Sequence, residues 1–90
     1  MQEVYINGSD YETPEEVHEF LNDALDCPGY YGRNLSALYD VLTELSEDTR
    51  IVLNLSDVDD DGMIEFLERM AEVMTDAADE NDYLEIEIEQ

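Results

Sequence analysis

The side chains best placed to do more than build a core fall within residues 30 to 42, which read Tyr30-Tyr31-Gly32-Arg33-Asn34-Leu35-Ser36-Ala37-Leu38-Tyr39-Asp40-Val41-Leu42. Two adjacent aromatics and a flexible Gly32 precede Asn34, a residue type that caps helices. Beyond the cap, Ser36, Asp40 and Thr43 recur at i, i+4 and i+7, so they share one helix face, with Tyr39 on its border. Tyr30, Tyr39 and Asp40 can then make an aromatic rim around a carboxylate held on a stiff helix, the kind of anchor set that dominates protein interfaces. The same residues also admit a plainer reading, in which the tyrosines are half-buried packing and Asp40 is one more surface acid.

Other chemistry is less well supported. Asp57-Val58-Asp59-Asp60-Asp61-Gly62-Met63-Ile64-Glu65-Phe66-Leu67-Glu68 places acids, a glycine and an apolar residue as an EF-hand calcium loop does. A calcium-binding domain using residues 57–68 is therefore the alternative function. Against it, the preceding Ile51-Val52-Leu53-Asn54-Leu55 reads as strand where an EF-hand needs a helix, and no second loop follows. His18 has no second histidine to share a zinc ion and is expected at the surface or its boundary. Cys27 sits beside Asp26, which opposes thiolate formation, so it is expected to be inert. Carboxylates are so common that no pair stands out as a general acid and base. Neither a catalytic role nor a cofactor is called for.

The charge narrows the classes further. The 90 residues hold 26 Asp plus Glu against 3 Lys plus Arg, a net charge of −23. Such a surface repels nucleic-acid phosphates and anionic membranes, and no apolar run approaches the ~18 residues of a membrane-spanning helix. Hydrophobic residues nevertheless make up 43% of the chain, with regular periods, so a folded domain is expected rather than a disordered acidic tail. The length suits one domain over residues 1–90. Met1-Gln2-Glu3 lacks the basic and apolar regions of a signal peptide, and a lone cysteine forms no internal disulfide, so the cytoplasm is the expected location.

The elements that must position these groups follow from the periodicity. Glu3-Val4-Tyr5-Ile6 alternates as a strand and ends at the turn-rich Asn7-Gly8-Ser9-Asp10. Thr13-Pro14-Glu15-Glu16 is a capping box with proline at the first helical position, and Val17, Phe20, Leu21, Ala24 and Leu25 form the stripe of the helix it opens. Leu35, Leu38, Val41, Leu42 and Leu45 form that of the second. Arg50 to Leu55 has three consecutive apolar residues, which suits a strand covered on both sides or flanked by two others, and it is placed centrally. Ile64, Leu67, Met70, Val73, Met74 and Ala77 mark a long amphipathic helix whose methionines fill core. Leu84-Glu85-Ile86-Glu87-Ile88-Glu89 alternates strictly, isoleucines inward. Strands separated by helices predict an α/β fold, a three-stranded parallel sheet of order 1-2-3 packed against three to four helices.

Residues 30 to 40 resemble the hallmark of the barstar-like inhibitors of small ribonucleases: Tyr-Tyr-Gly, any residue, Asn-Leu, an acid, Ala-Leu, an aromatic, Asp. The resemblance implies the fold just described and an intracellular antidote, a monomer when free, that plugs a basic barnase-like ribonuclease one-to-one and binds neither nucleic acid nor membrane. It assigns Tyr30 to the loop aromatic, Tyr39 to the helix aromatic and Asp40 to an acid that mimics the RNA phosphate. Asp76 and Glu80 match two further acids. Ser36 stands where the family commonly has an acid, Tyr39 where it usually has Trp, Leu45 where the founding member has a Trp, and Asp76 where the usual acid is Glu. These departures imply a different cognate enzyme. The expected contact set is thus Tyr30, Gly32, Asn34, Ser36, Tyr39, Asp40, Thr43, Leu45, Asp76 and Glu80. A third reading, a nucleic-acid mimic filling some other basic groove, follows from the charge alone.

Overall fold

Alternating apolar residues decide which side of each strand turns inward, and the register then stacks them. In a computed structural model, which describes residues 2–25 and 34–90, β1 (Gln2–Asn7), β2 (Thr49–Asn54) and β3 (Leu84–Glu89) form a parallel sheet of order β1-β2-β3. Val4 lies opposite Ile51 and Ile51 opposite Ile86, while Ile6, Leu53 and Ile88 make the next inward row. The central placing of β2, the parallel sense and the strand order are as the sequence predicts.

Three α-helices are present among the described residues: α1 (Pro14–Ala24), α2 (Leu35–Thr43) and α3 (Asp61–Glu80), with a short 3-10 turn at Gly8–Asp10. Their buried faces join the inward strand residues in one hydrophobic cluster, to which α1 gives Val17 and Leu21, α2 gives Leu38, Val41 and Leu42, and α3 gives Met63, Leu67, Met70, Met74 and Ala77. Each helix begins on a side-chain cap that satisfies a backbone donor with no partner inside the helix. Thr13 Oγ1 accepts from Glu16 N at 3.4 Å, Asn34 Oδ1 from Ala37 N at 2.8 Å and Asp60 Oδ1 from Met63 N at 3.1 Å. The capping box of α1 is displaced by one residue, because the Glu16 carboxylate accepts from Glu12 N, at 3.0 Å.

Among the described residues no helix covers the outer face of the sheet, so the consecutive apolar residues of β2 reflect its flanking strands rather than a second helical layer. Val52 is buried between its register neighbours Tyr5 and Glu87, and Arg50 pairs with Glu87 at 2.9 Å. Tyr5, 53% exposed, accepts from Asn54 Nδ2 at 3.0 Å and donates to Glu89 at 3.2 Å, lacing the C-terminal ends of all three strands. Where the 3-10 turn meets α3 there is no room for a side chain. A Cβ on Gly8 would lie 2.7 Å from Leu67 Cδ1 and 3.0 Å from the Asn54 carbonyl oxygen.

One placement differs from expectation. His18 is buried, not at the surface or its boundary, with its ring edge-on to Phe66 at a centroid distance of 5.5 Å. The covering ring comes from α3, a long-range contact that the local sequence around His18 does not signal. Phe20 and Ala24, read as part of the buried stripe of α1, lie only part-buried against the core.

Candidate functional site

Helix α2 is a platform with one face anchored and one face free. Leu38 and Leu42 are fully buried and Val41 nearly so, and the Asn34 cap holds the first turn. That anchoring leaves Ser36 and Asp40 exposed and Tyr39 half-buried, with the Tyr39 ring packed against the edge of the core. The face predicted from the spacing of Ser36, Asp40 and Thr43 therefore turns outward. Thr43 closes the last turn by donating its hydroxyl to the Asp40 carbonyl at 3.0 Å.

Helix α3 packs directly on α2, and their junction leaves a groove of about 470 Å³ lined by Leu35, Ser36, Tyr39, Asp40, Val73 and Asp76. Leu35 and Val73 are apolar and half-buried; Asp40 and Asp76 put exposed carboxylates on its walls, and Tyr39 and Ser36 add a phenol and a hydroxyl. Chemically this suits a cationic side chain with an apolar or planar stem: the stem lies on Leu35, Val73 and the Tyr39 ring while the charge meets carboxylates.

Four of the expected contact residues, Ser36, Tyr39, Asp40 and Asp76, thus meet around one groove. Glu80 is exposed at the end of α3, and Asn34 Oδ1 is taken by its capping bond. Leu45 follows the end of α2 and lines a separate hollow of about 420 Å³ with Gln2, Leu25, Glu44, Ser46, Glu47 and Thr49. Tyr30, Gly32 and Cys27 lie outside the described residues. Sequence reasoning assigned Leu35 and Val73 to the buried stripes, yet both line the groove; their positions at the flank of each stripe are the signal that marks them.

The calcium reading fails on geometry. Asp61, Glu65 and Glu68 would be positions 5, 9 and 12 of the loop, which must wrap around one ion. Here all three ride on continuous helix α3, Asp60 is occupied as its cap, and the segment is entered from β2 instead of a helix. Among the described residues no group of three or more His, Cys, Asp or Glu side chains is placed to hold a metal ion. Nor, among the same residues, is any helix long and apolar enough to cross a membrane.

Comparison with known proteins agrees with the topology. The family model described as Barstar (barnase inhibitor) matches residues 1–89. A Bacillus subtilis (strain 168) protein, "Putative ribonuclease inhibitor YrdF", is 54% identical over 43 residues, 48% of this chain and 47% of that protein. That match spans about half the length of the curated relative.

Proposed function

Because the chain belongs to the barstar (barnase inhibitor) family, we propose that it inhibits a small basic ribonuclease by seating the α2–α3 groove in the enzyme's active site. It acts as a binding protein and not as an enzyme, in a one-to-one complex formed inside the cell that makes the ribonuclease. The observation that carries this reading is the exposed carboxylate of Asp40 on a capped, core-anchored helix, beside Tyr39 and facing Asp76 across the groove.

The chemistry follows from what the enzyme must be. A ribonuclease needs a cationic cleft to hold a phosphodiester, so a carboxylate delivered there on a rigid support occupies the place of the scissile phosphate and collects charge-assisted hydrogen bonds. The support matters because a side chain already held in its bound geometry loses little entropy on binding. Asp76 and Glu80 extend the negative face along α3. Tyr39 supplies the aromatic wall, with Ser36 and Thr43 on the same surface and Asn34 fixing the helix start. Tyr30, Gly32 and Leu45 complete the contact set on the family pattern. The rest of the charge steers encounter with a cationic enzyme.

Titration of barnase and of other small basic ribonucleases by this chain, followed by calorimetry and by RNA hydrolysis, tests the reading. Asp40→Ala is expected to weaken inhibition by at least about 2 kcal/mol, the scale of an interface hot spot, while Glu44→Ala, an exposed acid outside the groove, changes it by less than about 0.5 kcal/mol. Equal effects of the two substitutions would remove Asp40 from the centre of the interface.

A further inference from the structure

The two helices that carry the acids are joined by a buried side chain that the contact set does not include. Asn81, 7% exposed, follows the last residue of α3. Its Nδ2 donates to the Leu42 carbonyl in the last turn of α2, at 2.8 Å, and to the Leu45 carbonyl two residues past the end of that helix, at 2.9 Å. Its Oδ1 accepts from Tyr83 N at 2.9 Å, and its own carbonyl accepts from Leu84 N at 3.1 Å, where β3 begins.

A helix ends with carbonyls that have no partner within the helix, usually met by a glycine-based cap or a basic side chain. Helix α2 has no basic residue in its last turn, and Leu45 stands after the cap residue Glu44, where a glycine would serve. Backbone donors meet part of the last turn, with Glu44 N reaching the Val41 carbonyl at 3.2 Å and Leu45 N the Leu42 carbonyl at 3.4 Å, and Asn81 adds the shorter bonds to Leu42 and Leu45. Only a side-chain amide offers two N–H groups and an acceptor at once, and here both donors and the acceptor are used.

We propose that Asn81 is a positioning residue for the inhibitory face: its bonds to the Leu42 and Leu45 carbonyls fix the register of α2 against α3, and so the placement of Asp40 relative to Asp76. The apolar contacts between the helices are non-directional, whereas the two hydrogen bonds are directional and tie the end of α2 to a single residue. Asp40 is two residues before Leu42, and Glu80 is immediately before Asn81, so a lost clamp is felt first where the acids are. The consequence for binding rests on the ribonuclease reading; the clamp itself does not.

The test has two arms. In the free chain, NMR spectra of Asn81→Ala are expected to show the backbone amides of Tyr39, Asp40, Val73 and Asp76 displaced, with those of β1 in place. Asn81→Asp places a carboxylate against two carbonyls. It is expected to displace the same amides at pH 8 and to return them part-way towards pH 5, because burial against two carbonyls raises the acid and its protonated form donates one bond; Asn81→Ala shows no such return. Ile51→Val, which lowers stability from the sheet, leaves the groove amides unmoved. In the second arm, Asn81→Ala binds barnase at least about tenfold more weakly than the unaltered chain, and Ile51→Val binds unchanged. The Asn81→Asp deficit, taken against the unaltered chain at each pH, shrinks from pH 8 to pH 5. If Asn81→Asp does not fold at pH 8, Asn81→Ser replaces it in both arms, with a deficit smaller than that of Asn81→Ala. Unmoved groove amides in Asn81→Ala, or an affinity loss no larger than that of Ile51→Val, overturns the proposal. If the unaltered chain binds neither barnase nor any other small basic ribonuclease tried, the ribonuclease reading fails and the NMR arm alone decides the clamp.

Discussion

At the scale of single residues, Tyr39 shows how one side chain serves both core and surface. Its ring is packed against the hydrophobic cluster yet lines the groove beside Asp40. If the ring is the contacting part, Tyr39→Phe keeps most of the affinity for barnase, within about 0.5 kcal/mol, whereas Tyr39→Ala costs at least about 2 kcal/mol. Calorimetry on the two variants distinguishes ring from hydroxyl. Tyr11 illustrates a different coupling. Burial, with the negative charges of Asp10 and Glu16, raises its phenol above the ordinary value of 10.0. The folded state therefore favours the neutral phenol, and the stability this gives is present below pH 10 and lost as pH rises through the raised value. Denaturation measured above pH 10 is expected to show that loss in the unaltered chain and less of it in Tyr11→Phe.

The elements are where sequence and structure agree most closely, and the reasons are local. Strand alternation in β1 and β3, and the caps at Thr13 and Asn34, are encoded within a few residues, so they can be read directly. The burial of His18 under Phe66 and the clamp from Asn81 to the end of α2 join distant parts of the chain and leave no local trace. The groove falls between these cases. Ser36, Tyr39 and Asp40 are legible from helical spacing, while the partnership with Asp76 and Val73 depends on how α3 crosses α2, and only family resemblance points to Asp76. The Asn34 cap is a test at this scale. Asn34→Ala is expected to cost about 1 kcal/mol of stability in urea denaturation, and to weaken barnase binding as the first turn of α2 frays.

For the whole molecule, electrostatics is the dominant design constraint. Arg50 and Arg69 are both engaged by glutamates, at 2.9 and 2.8 Å, and these surface pairs are each worth at most about 1 kcal/mol. The net charge of −23 thus repels itself across a fold of modest size, and the same field attracts a basic enzyme. Salt acts on both effects with opposite results. Raising NaCl from 0.01 to 1 M shortens the screening length from about 30 to about 3 Å. The free chain is expected to melt at a higher temperature as salt rises, while stopped-flow association with barnase slows. A melting temperature that falls with salt would mean that self-repulsion does not limit the fold.

The claim on which the rest depends is that the α2–α3 groove is the face presented to the enzyme. The most direct measurement is NMR of the isotope-labelled chain titrated with an unlabelled barnase-like ribonuclease that it inhibits, following every backbone amide. The account predicts saturable changes at one equivalent, concentrated in residues 34–43 and 73–80, with the open face of the sheet around Tyr5, Arg50 and Glu87 unaffected. Changes centred on that sheet face, or none at all at saturating enzyme, would contradict it.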